Sequence, residues 1–378
     1  MTTLSRRALA IAAALVLACT ARVGLAAPGS PAEQDMPVRV LDTRIGQGLA
    51  RGRLDPGAVA RLAIPSMTTS GDAVLLLNLT AVDATGPGHV SAWSCDHPRP
   101  ETSILNFVPG HAAANMIALP YTEAGICLST VTPVHLIADL TATTTTAHYQ
   151  GVTPNRLLDT RRLRPLRPYR EHRVHIGGSP GIPVDAPAAA INVTVVAGSE
   201  PGWIRVAPCG AGSEASTVNF QGGEVVAHFT FAGLMAGDAC VTPSTGVDVV
   251  IDSFGWMPAG SGLRTITPTR LLDTRIGLGG TAGAARDGQL ITLEVAGRAG
   301  IPRAANTATI NIVAVDGTAF GHLTVWPCGR PEPVSSMLNM WPGVLRSNQA
   351  AVPIPGSGDI CIRPRISDDS AIDVSPRV

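Results

Sequence analysis

The chain has 378 residues, with 28 basic and 28 acidic side chains and therefore no net charge, which removes the electrostatic case for nucleic acid. All the basic side chains are arginine, and the absence of lysine excludes a Schiff-base lysine, a Ser–Lys dyad and a phosphate-loop lysine. Charged residues make up 15% and aromatics 4%, against 40 glycines and 31 prolines, a balance that suits short strands and many turns rather than long helices.

The start reads as an export signal over residues 1–27. Arg6 and Arg7 precede an apolar run from Ala8 to Ala18, too short to span a bilayer, and small residues follow, with cleavage expected near Ala26 or Ala27. "VLAC" at 16–19 resembles a lipobox, so the alternative is a lipoprotein with Cys19 as its lipidated N-terminus. Residues 28–36 form a polar leader.

The remainder divides into three repeats, 37–149, 150–262 and 263–378, joined by segments rich in Thr, Gly, Ser and Pro. "LDTR" opens each repeat at 41–44, 158–161 and 272–275. An apolar run containing Asn78, Asn192 or Asn311 follows, then a Gly-led run ending at the first cysteine. A second asparagine comes next (Asn106, Asn219, Asn339), then the second cysteine and a terminal acid (Asp139, Asp252, Asp373). The runs are short, β-branched and bounded by Gly or Pro, without a sustained helical period. "AVLLLNLTAV", "AAINVTVVA" and "TATINIVAV" are apolar throughout, as expected for strands covered on both faces. Each repeat holds seven or eight strands, and the expected fold is all-β: three tandem antiparallel β-sandwich modules. Independent modules are expected in preference to a closed threefold assembly, because each repeat carries its own cysteine pair and apparent core. The third repeat stops five residues after Asp373, so its last strand is expected to be short.

Six of the seven cysteines pair by position within the repeats: Cys95 with Cys127, Cys209 with Cys240, and Cys328 with Cys361. Loss of Cys19 by cleavage or lipidation leaves this even number in an oxidising compartment. Each bridge stabilises its module by roughly 3–4 kcal/mol in the chain-entropy description. No CxxC, no histidine shared by all three repeats and no calcium-loop signature is present, so neither metal nor cofactor is expected.

The sharpest polar motif is "LDTR". In an extended strand Asp42 and Arg44 share a face, as do Asp159 and Arg161, and Asp273 and Arg275. Such a pair either locks a strand end internally or presents an arginine fork to an anion or sugar hydroxyls. The terminal acids sit in apolar runs and need partners if buried, and Arg44, Arg161 and Arg275 are the expected partners of Asp139, Asp252 and Asp373. The asparagine amides are expected to satisfy turn or edge backbone groups. The second repeat alone has a strongly basic run, Arg156, Arg161, Arg162, Arg164, Arg167, Arg170 and Arg173 with His172 and His175, which offers contacts to an anionic polymer or glycan. Trp93 and Trp326, and the matched set His89, Trp203 and His322, either pack beside the disulfides or stack on sugars. No GxSxG, HExxH, SxxK or phosphate loop occurs, and no cysteine is left as a nucleophile, so no catalytic residue is assigned and the protein is expected not to be an enzyme.

"PVRVLDTR" (37–44), "PNRLLDTR" (154–161) and "PTRLLDTR" (268–275), with "GIPVDAPAAAINVT", "GIPRAANTATINI" and the close "VDVVIDSFGW", resemble exported bacterial surface proteins of actinobacterial type built from tandem "RLLDTR" β-repeats. The resemblance covers nearly all of the mature chain and implies extracellular modules; it carries over no catalytic residues. The first repeat lacks "GIP" and the third lacks the Gly-aromatic ending, so equal binding by all three is not implied. The expected function is non-catalytic binding at the cell surface or wall, with wall polysaccharide or another glycan as partner. The alternatives are a structural or adhesion protein that binds other proteins, and a hydrolase with an unrecognised site. A membrane association is expected only through a lipidated Cys19.

Overall fold

The computed structural model describes residues 37–374, apart from 66, 68–70, 212–214, 263–265, 267–268, 281, 316 and 367–370. The expected signal, leader and Cys19 lie outside the described residues. Within them the β-branched runs form strands, and the Gly and Pro clusters form the turns between them. Module one holds β1 (Val38–Asp42), β2 (Val59–Leu62), β3 (Ala73–Val82), β4 (Gly88–Ser94), β5 (Leu105–Phe107), β6 (Ala113–Tyr121), β7 (Ile126–Thr130) and β8 (His135–Thr145). Module two holds β9 (Gln150–Asp159), β10 (His172–His175), β11 (Ala188–Val196), β12 (Gly202–Pro208), β13 (Val218–Phe220), β14 (Val225–Gly233), β15 (Asp238–Pro243) and β16 (Asp248–Met257). Module three holds β17 (Ala285–Arg286), β18 (Ile291–Glu294), β19 (Thr307–Val315), β20 (Gly321–Pro327), β21 (Leu338–Met340), β22 (Arg346–Pro353), β23 (Asp359–Ile366) and β24 (Ala371–Val374). No α-helix occurs among the described residues; one 3-10 turn covers Thr160–Arg162.

Every module pairs its strands in the same order. In module one the sheets run β1-β8-β3-β6 and β2-β7-β4-β5; adding eight to each label gives module two, and sixteen gives module three. All these pairings are antiparallel. This is the strand order of an eight-stranded jelly roll, a double-sheet sandwich. The disulfides Cys95–Cys127, Cys209–Cys240 and Cys328–Cys361 each close one module, as the spacing predicts. Three disulfides fit an oxidising environment, and no helix among the described residues is long and apolar enough to cross a membrane.

The modules are not independent. β3 and β11 are buried over almost their whole length. One face of each fills its own sandwich, and the other lies against the neighbouring modules. The core of module one continues into Ala188, Ala190, Phe229, Phe254 and Met257 of module two and Ala351 of module three. Phe229 stacks edge-on against Phe231 and Phe254, with centroids 5.4 and 6.0 Å apart, and the buried Tyr149 hydroxyl donates to the Phe254 carbonyl at 3.0 Å. β6, β14 and β22 pack against one another, bringing all three modules together.

Polar contacts close the arrangement into a ring. The amide of Asn192 donates to the carbonyl of Ser103 in module one at 2.9 Å. That of Asn311 donates to Ser216 in module two at 3.0 Å, and that of Asn78 donates to Ser336 in module three at 2.8 Å. The three carbonyls occupy matching positions ahead of β5, β13 and β21. These three asparagines do satisfy backbone groups, but those of a neighbouring module, whereas Asn219 Nδ2 and Asn339 Nδ2 of the second recurring set are buried without a hydrogen-bond partner. The closed threefold arrangement thus replaces the expected set of independent sandwiches: the cysteines staple each module, while apolar sheet faces that no single module can cover require all three.

Module three departs from the other two. β17 is short and takes the edge beside β24, whereas the "LDTR" segment itself occupies β1 and β9 in modules one and two. In β24 Asp373 lies opposite Val315, whereas Asp139 and Asp252 lie opposite Asn78 and Asn192.

Candidate functional site

Each "LDTR" motif holds an Asp–Arg ion pair. Arg44 donates from Nε and Nη2 to the two carboxylate oxygens of Asp42, at 2.9 and 2.7 Å, and its backbone N–H donates to Asp42 Oδ1 at 3.1 Å. Arg161 clasps Asp159 at 2.8 and 2.6 Å, and Arg275 clasps Asp273 at 2.9 and 2.8 Å. The expected pairing of Arg44 and Arg161 with the terminal acids is therefore corrected. Asp139 is held by Arg39 at 2.9 and 3.2 Å, and Asp252 by Arg156 at 2.8 and 3.3 Å. Arg270, at the matching position of module three, reaches Asp273 at 2.6 Å; the side chain of Asp373 lies outside the described residues.

A bulge explains the exchange. Strict alternation puts Arg39 on the face of Leu41, away from Asp42. The register slips between Arg39 and Leu41, and again between Ile251 and Asp252 opposite Arg156, which resets the parity of the strand. The outcome is a line of alternating charge, Arg44–Asp42–Arg39–Asp139, in which Arg39 Nη1 also lies 3.6 Å from Asp42. Its inner end is buried and its outer arginine is partly exposed.

The electrostatics follow this gradient. Hydrogen bonds from Arg44 hold Asp42 below the usual carboxylate range, and those from Arg275 do the same for Asp273. Arg161 pulls Asp159 down to about 2. Burial pushes Asp139 and Asp252 up, against the opposing pull of Arg39 and Arg156. The threonine of the motif completes the lock: Thr43 accepts from the Leu136 N–H at 3.0 Å, and Thr160 from Val249 at 2.8 Å. The turn that follows needs glycine, since a Cβ on Gly48 would lie 2.4 Å from the Val40 carbonyl and one on Gly279 2.1 Å from that of Leu271. Asp42, Arg44, Asp159, Arg161, Asp273 and Arg275 are thus paired with one another.

The buried tryptophans are also committed to the fold. Trp93 and Trp326 lie opposite Cys127 and Cys361, and their indole N–H groups donate to the His97 and Arg330 carbonyls at 3.1 Å. Both are buried.

What stays available is the basic segment of module two. Arg173 is drawn to Asp238, which also accepts from or pairs with His175 Nδ1 at 2.7 Å. Arg162, Arg164, Arg167 and Arg170 are exposed and make no ion pair among the described residues. Their loop is nonetheless fixed: Leu166 is buried and bridges to Val247, and the Arg167 N–H donates to His172 Nε2 at 2.9 Å. The Tyr169 N–H donates to the Pro243 carbonyl at 2.7 Å. Tyr169 is 71% exposed, and its ring meets that of half-buried Trp203 edge-on at 6.3 Å. The candidate site is this loop with Trp203 beneath it, and it brings together four of the seven arginines of the basic run, Arg162, Arg164, Arg167 and Arg170. Sequence reasoning missed Tyr169, because one tyrosine among arginines has no periodic signal.

No group of acidic, histidine or cysteine side chains among the described residues has the arrangement of a metal site. Against known protein families and curated proteins, the chain matches none.

Proposed function

We propose that the protein is a non-catalytic exported module that binds an anionic wall polysaccharide or related surface glycan through module two. The observation that carries this reading is the fixed loop on which Arg162, Arg164, Arg167 and Arg170 stand exposed and unpaired, while the arginines of "LDTR" are spent on internal acids. A guanidinium is planar and weakly hydrated, and it meets carboxylate or phosphate groups with two parallel hydrogen bonds. Four of them on one short loop favour a polymer with repeated negative charge. The matching loops of modules one and three lack this density, so one chain offers one such face. The resemblance to exported surface proteins with "RLLDTR" repeats agrees with a place outside the cell.

The test is sedimentation of purified protein with isolated cell walls and insoluble polysaccharides at low and high salt. The native protein should bind saturably and release at high salt. A variant with Arg162, Arg164, Arg167 and Arg170 changed to Ala should stay in the supernatant. Equal sedimentation of both proteins would sink the assignment to this loop.

A further inference from the structure

Tyr169 stands at φ +53°, in the left-handed region. A bulky side chain is rarely found there, because its Cβ crowds the following carbonyl. The repeat shows what the fold itself selects at this point. Leu166 bridges to Val247 as Leu54 bridges to Val134 in module one, so Tyr169 matches Gly57. Gly57 has φ +76°, and its N–H donates to the Thr130 carbonyl at 2.8 Å, as Tyr169 donates to Pro243. In module three Gly288, at φ +69°, donates to the Pro364 carbonyl at 2.9 Å. Two modules meet this turn with glycine. Module two holds a tyrosine in the same strained conformation and leaves its ring in solvent.

The neighbouring position changes with it. Trp203 of module two stands where modules one and three have His89 and His322; the three lie opposite Asn219, Asn106 and Asn339. Both aromatic substitutions fall in the module that carries the unpaired arginines, and they touch each other. Strain held by a bulky ring at an exposed position where the other two modules use glycine marks a residue retained for contact rather than for stability.

Resting on the proposed glycan-binding function, we infer that Tyr169 and Trp203 form a stacking platform for a sugar ring that bears a carboxylate, with Arg167 and Arg170 supplying the countercharge. The apolar C–H face of a pyranose lies on the electron-rich face of an aromatic ring, and tyrosine offers that face at little cost in side-chain freedom. The flanking guanidiniums match the carboxylate of an acidic sugar. The ligand class is a polyuronate, distinct from a neutral glycan, which has no use for the arginines, and from polyphosphate, which has no ring to stack.

The experiment uses the whole chain with three probes: a polygalacturonate oligomer, polyphosphate of similar charge, and neutral dextran. The two substitutions are Tyr169→Gly and Trp203→His, which copy the residues at the matching positions of modules one and three. Melting curves check that both variants remain folded. Each variant should weaken polygalacturonate binding roughly tenfold, the effect of losing one well-placed aromatic contact, and leave polyphosphate binding unchanged. Dextran should not bind. Polygalacturonate binding unaltered in both variants, or lost in step with polyphosphate, overturns the platform while leaving the arginine face intact. Dextran binding as tight as polygalacturonate overturns the acidic-sugar class. Failure of the native protein to bind walls or any polyanion removes the functional reading as well.

Discussion

His228 offers a sharp test of how the ring is held together. It sits on β14 opposite Val193, at the position of Asn115 opposite Leu79 and of Asn348 opposite Ile312. Asn115 donates to Asn192 Oδ1 at 3.0 Å across one seam, and Asn348 to Asn78 Oδ1 at 2.9 Å across another. At the third seam Asn311 Oδ1 and His228 Nε2 are both buried without a hydrogen-bond partner. Burial pulls the His228 pKa down to about 4. The unfolded chain takes up this proton near the ordinary histidine value of 6.5, so stability is intact above that pH and declines as pH falls from there toward 4. At about pH 4.5 the gap is two pH units, worth about 2–3 kcal/mol at ~1.4 kcal/mol each. His228→Asn copies the other seams. It should gain about 1 kcal/mol at neutral pH from the restored hydrogen bond, and it should remove most of the acid loss. Asp139 and Asp252, whose carboxyls burial pushes up, are common to both proteins and cancel in the difference. Urea unfolding of native protein and variant at about pH 7 and 4.5 measures it. Parallel losses of stability in the two proteins would refute the assignment of the acid sensitivity to this histidine.

Arg39→Ala should cost about 3–5 kcal/mol, because it leaves Asp139 charged and buried, whereas Arg44→Ala at the exposed end should cost about 1 kcal/mol or less; equal costs in denaturant titrations would contradict the charge gradient along the motif. Carboxyl NMR titration should place Asp159 at about 2 and Asp252 above its ordinary value. The stability contributed by Asp159 is therefore present above the ordinary carboxylate range and lost as pH falls through about 2, while Asp252 acts in the opposite sense. A fragment of residues 150–262 expressed alone should fail to give a stable monomer, since it uncovers Phe229 and Phe254; a sharp cooperative melt from a monomeric fragment would show that the ring contacts are dispensable.

The sequence carries the fold at the level of repeats and strands. Alternation, Gly and Pro punctuation and cysteine spacing mark modules and bridges because each is a local constraint repeated three times. The apolar character of "AVLLLNLTAV" on both faces was also legible, but not what covers the second face, since one strand cannot distinguish a helix, a sheet or a neighbouring repeat. Arg39 and Arg156 were visible in "PVRVLDTR" and "PNRLLDTR", yet period-two reading sends them away from Asp42 and Asp159. Only the bulge brings them back, and a bulge leaves no residue signature here. The strain at Tyr169 was hidden for a related reason: its match to Gly57 and Gly288 depends on a bridge from Leu166 to Val247, across a loop whose sequence does not align by eye.

The closed ring has a consequence for the order in which the chain matures. The seam between modules one and two joins positions 77 residues apart, whereas the seam between Asn78 and Asn348 spans 270. For a flexible connection this difference costs only about 1 kcal/mol of closure entropy, so thermodynamics hardly resists the last step. Timing does. Synthesis delivers module one first, and Asn78 with its apolar strand must wait for β22, whose Asn348 emerges 270 residues later. Until then the nascent protein presents a sticky sheet face, so its yield depends on how well that face is shielded while module three is made.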